Sequence, residues 1–395
     1  MSAPAPQVIV IGGGLAGCSV AWHLASTHRV LLLEQGDHPG GEATAQNAGM
    51  LRTMGEDPTE RALALRTQAW MEQQASGALA EDFPQSVSTR TGAVLALAHD
   101  PAHLTDAVAH LRARGEHLEA LSEPAHIAPI LSGARLAQAW YQPSARIVDP
   151  YALNQGFLAG LRRMGGQLRA GVQAVDVAPG QVTLAGGEVL AAEHVVLATG
   201  AWSAQLSARM GIRRSFVPIR RALMHSGPHP LSSPAHPWTW IDDVGVYARP
   251  ESGGWLMSAC DERLDYPAPG PGSQSTVPEA TRALLSDKLQ RYLPALADAR
   301  PAGGWTGLRT FAPDRRPALG PDPERAGIWW AAGLGGFGVS CSVGVGQALA
   351  AWIRGEQTPW LHAGSVNPGR AHPSRWLIRP DGDLRHAKLA SSWPE

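Results

Sequence analysis

The chain has 395 residues, 44% hydrophobic and 17% charged, with a formal net charge of −1. That length gives one large or two to three ordinary domains with ample core, and the balanced charge excludes the basic field of a nucleic-acid binder. No apolar run reaches the ~18 residues of a membrane span, and the opening MSAPAPQVIVIGGG lacks the charged region and cleavage site of a signal peptide, so a cytoplasmic protein without a transmembrane segment is expected.

Short apolar runs alternate with amphipathic stretches, which predicts an α/β fold. In chain order the pattern gives a strand over Gln7–Ile11, a helix over Leu15–Ser26, a strand over Arg29–Glu34 and a helix over Pro58–Gln74. Next come a strand over Ala93–Ala98 and helices over His103–Arg114 and Pro150–Met164, the latter opened by Asp149 as cap and Pro150 in the first turn. Strands follow over His194–Thr199, Val244–Arg249 and Gly254–Ser258, then a helix over Pro278–Leu293, a strand over Ile328–Ala332 and a helix over Ser342–Arg354. Two Pro/Gly/Ser-rich stretches, Ser226–Pro237 and Pro267–Ser275, are expected as surface loops of a second, smaller domain. Beyond Thr358 the chain turns polar and irregular, and is expected to be a C-terminal extension.

The segment Val8–Gly17 carries Gly12, Gly14 and Gly17 as G-x-G-x-x-G, directly after an apolar strand and opening a helix through Leu15 and Ala16. The first glycine permits the tight turn, the second lets backbone approach a pyrophosphate, and the third lets helix and strand pack closely. The helix N-terminus adds unpaired N–H groups and the positive end of its dipole. A second strand ends in Glu34, twenty residues after Gly14, where a carboxylate accepts from an adenosine ribose and repels a 2′-phosphate. A second glycine cluster, Gly333-Leu334-Gly335-Gly336-Phe337-Gly338, also joins a strand to a helix but has no acid-ended strand after it. It is expected to be a close-approach loop bordering an electron-rich part of the same cofactor. Spacing alone leaves NAD and FAD both open.

These motifs, with Gly40–Met50, VVLATGAWS from Val195 and the run Gly304–Gly338, resemble the D-amino-acid oxidase superfamily of flavoenzymes over nearly all of residues 7–354. That superfamily includes glycine oxidases, sarcosine oxidases and D-amino-acid dehydrogenases. YQPSARIVDPYALNQGFLAGLRR from Tyr141, PIRRAL from Pro218, VYARP from Val246 and GWTGLRTFAPDRRPALGP from Gly304 are most similar to the D-arginine dehydrogenases. The resemblance implies noncovalently bound FAD, a Rossmann-like domain built from 1–57, 141–215 and 300–357, and a mostly antiparallel-sheet substrate domain from 58–140 and 216–299. It places Glu34 and Gln35 at the ribose end, Thr44, Ala45, Asn47, Ala48, Gly49 and Met50 around the pyrophosphate and flavin, and the backbone of Val172, taken as a strand residue, on the adenine side. Gly200 and Trp202 would lie along the nucleotide, with Gly333, Gly335, Gly336, Phe337 and Gly338 at the isoalloxazine.

By the same matching, Arg221 and Arg309 fall on two carboxylate-binding arginines and Tyr247 on a tyrosine that donates to the same group. Chemically, a planar guanidinium suits a carboxylate because its fork meets both oxygens. Arg220 and Arg221 adjoin on a strand and face opposite sides, so only one enters the site. Without the resemblance, Arg309 equally pins a loop and Tyr247 is a half-buried strand aromatic. Gly92 replaces the glutamate that would meet a substrate guanidinium, and Met50 replaces an active-site histidine, which disfavours D-arginine. Met50 with Trp238 or Trp240 favours neutral side chains, whereas Arg52 favours acidic ones; the sequence leaves both open.

The implied reaction is FAD-dependent oxidation of a D-amino acid or glycine-like substrate to an imino acid, with a quinone, another carrier or oxygen as acceptor. Oxidation of secondary amines such as sarcosine or proline-like substrates, or a non-enzymatic FAD-binding module, stand beside it. Only two lysines occur, Lys288 and Lys388, and neither matches the lysine of sarcosine oxidases, which leans toward a dehydrogenase. Cys18, Cys260 and Cys341 are scattered and expected in the core. His103, His110 and His117 repeat every seven residues, ~10 Å apart along a helix, and His225, His229 and His236 lack zinc spacing, so no metal is expected.

Overall fold

A computed structural model describes residues 5–361 apart from 56 and 213. The run Val8–Ile11 is buried at every position and forms a central strand of a six-stranded sheet. Its neighbours are Val30–Leu33 and His194–Leu197, both parallel to it. Gln167–Arg169 continues the sheet on one side, and Ile328–Ala332 and the antiparallel Ala318–Pro321 on the other. Continuous apolar strands of this kind need cover on both faces. The helices Leu15–Leu24, Pro58–Ala75, Pro150–Arg163 and Gly338–Ile353 supply one cover. A small antiparallel sheet (Ala174–Ala178, Gln181–Leu184, Val189–Ala191) and the helix Ser203–Arg209 supply the other.

A nine-stranded sheet forms the second layer system, with one parallel pair, Trp238–Ile241 against Ala93–Leu97, and otherwise antiparallel neighbours. Its longest pairing joins Val217–Ser226 to Pro301–Phe311, with Arg221 opposite Gly307 and Ile219 opposite Arg309. One face, carrying Ala222, Met224, Val246, Ala248 and Met257, packs on the helix Glu279–Tyr292. The other face carries Leu223, Tyr247 and Leu256 and turns toward Ala48 of the first layer system.

Two expected boundaries fail for a physical reason. The helix Pro58–Ala75 packs on Gly338–Ile353 through Leu63, whose backbone leaves no room for a side chain at Gly344. It therefore sits with the parallel sheet and not with the substrate layer expected for 58–140. The strand Pro301–Phe311 belongs to the large sheet and not with the segment from 300. Val172 is not in a strand; it precedes Ala174–Ala178. The helix expected from Ser342 begins at Gly338, and with the preceding turn the stretch Gly335–Ile353 is long and apolar enough to cross a membrane by length and composition. It exceeds the apolar run length expected above, but it is a mostly buried core helix. Residues beyond 361, with Lys388 and most of the expected extension, lie outside the described residues.

Candidate active site

Gly12, at φ +109, turns the chain out of the first strand where a Cβ would collide with the carbonyl of Ala198. Gly17 lies below that turn, because a Cβ there would run into the carbonyl oxygen of Gly12. The helix Leu15–Leu24 has no side-chain cap at Gly14 and no acid in its first turn, which leaves its N-terminus electropositive. Glu34 accepts from the N–H groups of Gly13 and Gly36, each at 2.7 Å. Burial pushes its carboxyl up, against those two hydrogen bonds.

From this loop a cleft of about 430 Å³ runs past Gly12, Gly14, Leu15, Ala16, Glu34 and Gln35. It continues along Thr44, Asn47, Val172, Gly200 and Trp202 to Gly333, Gly335, Gly336, Gly338 and Arg309. Thr44 Oγ1 accepts from the N–H of Leu15 at 3.0 Å, tying the 43–50 turn to the glycine loop. Asn47 staples that turn, donating to the carbonyls of Ala43 and Thr44 and accepting from Gly49. The N–H of Val172 is spent on the carbonyl of Glu34. Gly17, Ala45, Ala48, Gly49, Met50 and Phe337 do not line this cleft. Ala45 is exposed, while Ala48 and Met50 pack instead beside Tyr247 and Trp240. A long groove with a helix end that carries no acid in its first turn, glycines where side chains would collide, and a held carboxylate at one end fits an extended dinucleotide such as FAD.

Pro267–Ser275 is a loop, but it does not stay on the second domain. Its Ala268 and Pro267 carbonyls accept from Trp202 and Gln205. Its Gly272 and Ser273 donate to Glu42. Pro271 and Ser273 line the cleft. The segment is a strap across the groove. Arg220, on the opposite strand face from Arg221, secures it by donating to the Ser273 carbonyl at 2.5 Å, to Asp265 at 2.6 Å and to Thr306 at 2.9 Å.

Arg309 lines the other end of the cleft; Arg221 and Tyr247 do not line it, but lie near Arg309 on the same sheet face. The register places Arg221 and Arg309 two residues apart diagonally across adjacent strands. Arg221 lies beside Gly336, donates to Glu262 at 2.5 Å and keeps a buried Nε without a partner. Glu262 also holds Arg315 at 2.5 Å; burial alone would raise its carboxyl, yet the two guanidinium groups hold it at about 2. Arg309 donates to the carbonyl of Gln46 and, among the described residues, has no acidic partner. Burial lowers it to about 10, with Arg221 adding to the fall. Burial pushes Tyr247 up to about 12, so its phenol stays a donor.

An apolar cluster packs against this group: Trp240, 4.6 Å from Tyr247 between ring centres, with Met50, Ala48, Leu223, Cys260 and Trp305. Trp238 packs elsewhere, with Ala93 and Leu95. Lys288 lies behind the sheet and spends its ammonium on the carbonyls of Val244, Gly245 and Ala259, at 2.7 to 2.8 Å. His103 pairs with Asp242 at 2.9 Å. Sequence reasoning missed Gln46, Glu42, Glu262, Arg315 and Asn154, which donates to the Gly13 carbonyl. Each acts through tertiary contacts of sequence separation above 40 residues, and the sequence carries no local signal for them.

The family model of FAD dependent oxidoreductases (DAO) matches residues 7–352. The glycine oxidase of Geobacillus kaustophilus is 29% identical over 369 residues, covering 89% of this chain and 94% of that protein. The crystal structure of glycine oxidase from Geobacillus kaustophilus superposes with a TM-score of 0.77 at 25% identity, covering 92% and 98% of the two chains. L-proline dehydrogenase from P. horikoshii superposes with a TM-score of 0.79 over 93% and 98% at 20% identity, a likeness of fold.

Proposed function

The chain belongs to the family of FAD-dependent oxidoreductases, and from that premise we propose that it oxidises the Cα–N bond of an α-amino carboxylate, a D-amino acid or glycine. The product is an imino acid that water hydrolyses to a 2-oxo acid and ammonia. The observation that carries the proposal is Arg309: a guanidinium facing the cleft beside a second arginine and a phenol, without an acid of its own among the described residues. A charge held this way is costly unless a ligand anion completes it.

When bound, FAD supplies the electron acceptor for the hydride. Gly12, Gly14 and the Leu15–Leu24 helix end would hold its pyrophosphate, Glu34 its ribose, and the Gly333–Gly338 turn its ring end. The chain's own work is to bind and orient. Arg309, the free edge of Arg221 and the Tyr247 hydroxyl fix the substrate carboxylate, which leaves Cα one bond away with a defined direction. Glu262, held at about 2, stays ionised and keeps Arg221 in place. Glu262 is lowered to about 2 and engaged by two guanidinium groups, which makes it a poor base, so in this reading the substrate amine enters deprotonated.

Anaerobic mixing of holoenzyme with D-amino acids, L-amino acids, glycine and N-methyl amines tests this. Bleaching of the flavin by glycine or D-amino acids supports the proposal. Bleaching only by secondary amines, or by amines without a carboxylate, overturns it.

A further inference from the structure

Beside the apolar cluster around Tyr247 lies a second arginine–acid pair that the proposed chemistry does not use. The Arg52 guanidinium lies over the rings of Trp240 at 4.3 Å and Phe337 at 4.2 Å, and Trp240 in turn packs on Tyr247. Asp242 meets the Arg52 guanidinium at 2.5 Å, and its other oxygen meets His103 Nε2 at 2.9 Å. Asp242 and the Arg52 side chain are both largely buried.

Arg221 is shared with Glu262, and Arg52 is balanced by Asp242. Of these arginines, Arg309 and the unpartnered Nε of Arg221 are left for an anion among the described residues, on neighbouring strands of one sheet face. A second acid on a substrate side chain would meet Met50, Trp240, Ala48, Leu223 and Trp305, and beyond them an arginine whose charge is already cancelled. An ion there would be desolvated without a partner.

We propose that Asp242, by cancelling the charge of Arg52, sets the site for amino acids with neutral side chains and against acidic ones. Asp242 is here a positioning residue that acts through Arg52. This inference rests on the carboxylate being bound by Arg309 and Arg221.

The test uses binding of unreactive carboxylates, which separates it from turnover and from the stereochemistry of the substrate. Holoenzyme is titrated with 4-methylpentanoate and with glutarate while the flavin absorbance band is followed. The wild type is expected to bind 4-methylpentanoate at least about tenfold more tightly. Asp242→Asn uncovers Arg52, and the ratio should fall by about tenfold or invert, as expected for an unmatched charge in a low-dielectric wall. Arg52→Gln leaves Asp242 negative, so its ratio should equal or exceed that of the wild type, and it decides the matter if Asp242→Asn does not fold. Equal binding of the two ligands by the wild type, an unchanged ratio in a folded Asp242→Asn, or a ratio lowered in Arg52→Gln overturns the proposal while leaving the carboxylate site standing. If neither ligand perturbs the flavin in any variant, the carboxylate reading and this inference both fall.

Discussion

Replacing Arg309 by methionine separates a ligand-binding role from a scaffolding one, because the two predict opposite changes in stability. In the ligand-free protein burial lowers Arg309 from its ordinary value to about 10, so its charged form is disfavoured by about 3 kcal/mol. A substrate carboxylate recovers that cost, and truncating one member of a desolvated, hydrogen-bonded charge pair costs about 2–5 kcal/mol. The expected loss in kcat/KM is therefore about 100-fold, within a range of roughly thirtyfold to several thousandfold. Methionine fills much of the same volume without a charge to desolvate, so removal of the bond to the Gln46 carbonyl, worth about 1 kcal/mol, is the main structural loss. The melting temperature should stay close to that of the wild type or rise. Steady-state kinetics with the best substrate of the flavin-bleaching panel, alongside thermal unfolding of the same preparation, checks both. A kcat/KM within threefold of wild type refutes the reasoning, as does a variant that unfolds early and loses FAD, since Arg309 would then be part of the scaffold.

Three other outcomes follow from the same geometry. Tyr247→Phe removes one donor and should lower kcat/KM by about tenfold; because the phenol titrates near 12, the pH profiles of variant and wild type should keep the same shape between about pH 7 and 10, and a lost ionisation in that window would contradict it. Glu42→Gln weakens the acceptor for Gly272 and Ser273 in the strap, so release of FAD on dilution, followed by the recovery of flavin fluorescence, should quicken by about five- to thirtyfold for a loss of 1–2 kcal/mol; an unchanged rate would show that the strap does not hold the cofactor. Glu262 and Asp242 are both held at about 2, below the ordinary carboxylate values, so their stabilising contribution is complete above about pH 4.5 and is lost as pH falls toward 2. Melting temperature should therefore drop across that interval in the wild type and drop less in Glu262→Gln, whereas parallel curves would contradict the pairing.

The glycine-rich half of the candidate site was legible as local structure because its logic is local. A tight turn at Gly12, close packing at Gly17 and an acid ending the next strand are imposed within some twenty residues, and each glycine meets backbone or side chain that leaves no alternative. The expected strand and helix over Gln7–Ile11 and Leu15–Ser26 accordingly match the observed ones closely. The substrate half was less legible. Pro301–Phe311 opens with proline and carries three glycines, so its β-character comes from pairing with Val217–Ser226 and not from its own pattern. The choice between Arg220 and Arg221 depended on strand parity, and the register puts Arg221 on the sheet face of Arg309 while Arg220 is spent on the strap. Whether Arg52 offers a free charge was undecidable from sequence, because Asp242 lies 190 residues away and only the fold brings them to 2.5 Å. The expected loop Pro267–Ser275 was recognised as a loop, but its reach across the groove depends on Glu42 and Trp202, on the other layer system.

The most direct measurement is a crystal structure of the holoenzyme with an amino-acid carboxylate bound under anaerobic conditions. The account predicts the adenosine ribose at Glu34, the isoalloxazine against Gly333–Gly338, and the ligand carboxylate between Arg309, Arg221 and the Tyr247 hydroxyl. A carboxylate seated elsewhere while those three side chains keep only their protein partners would contradict it.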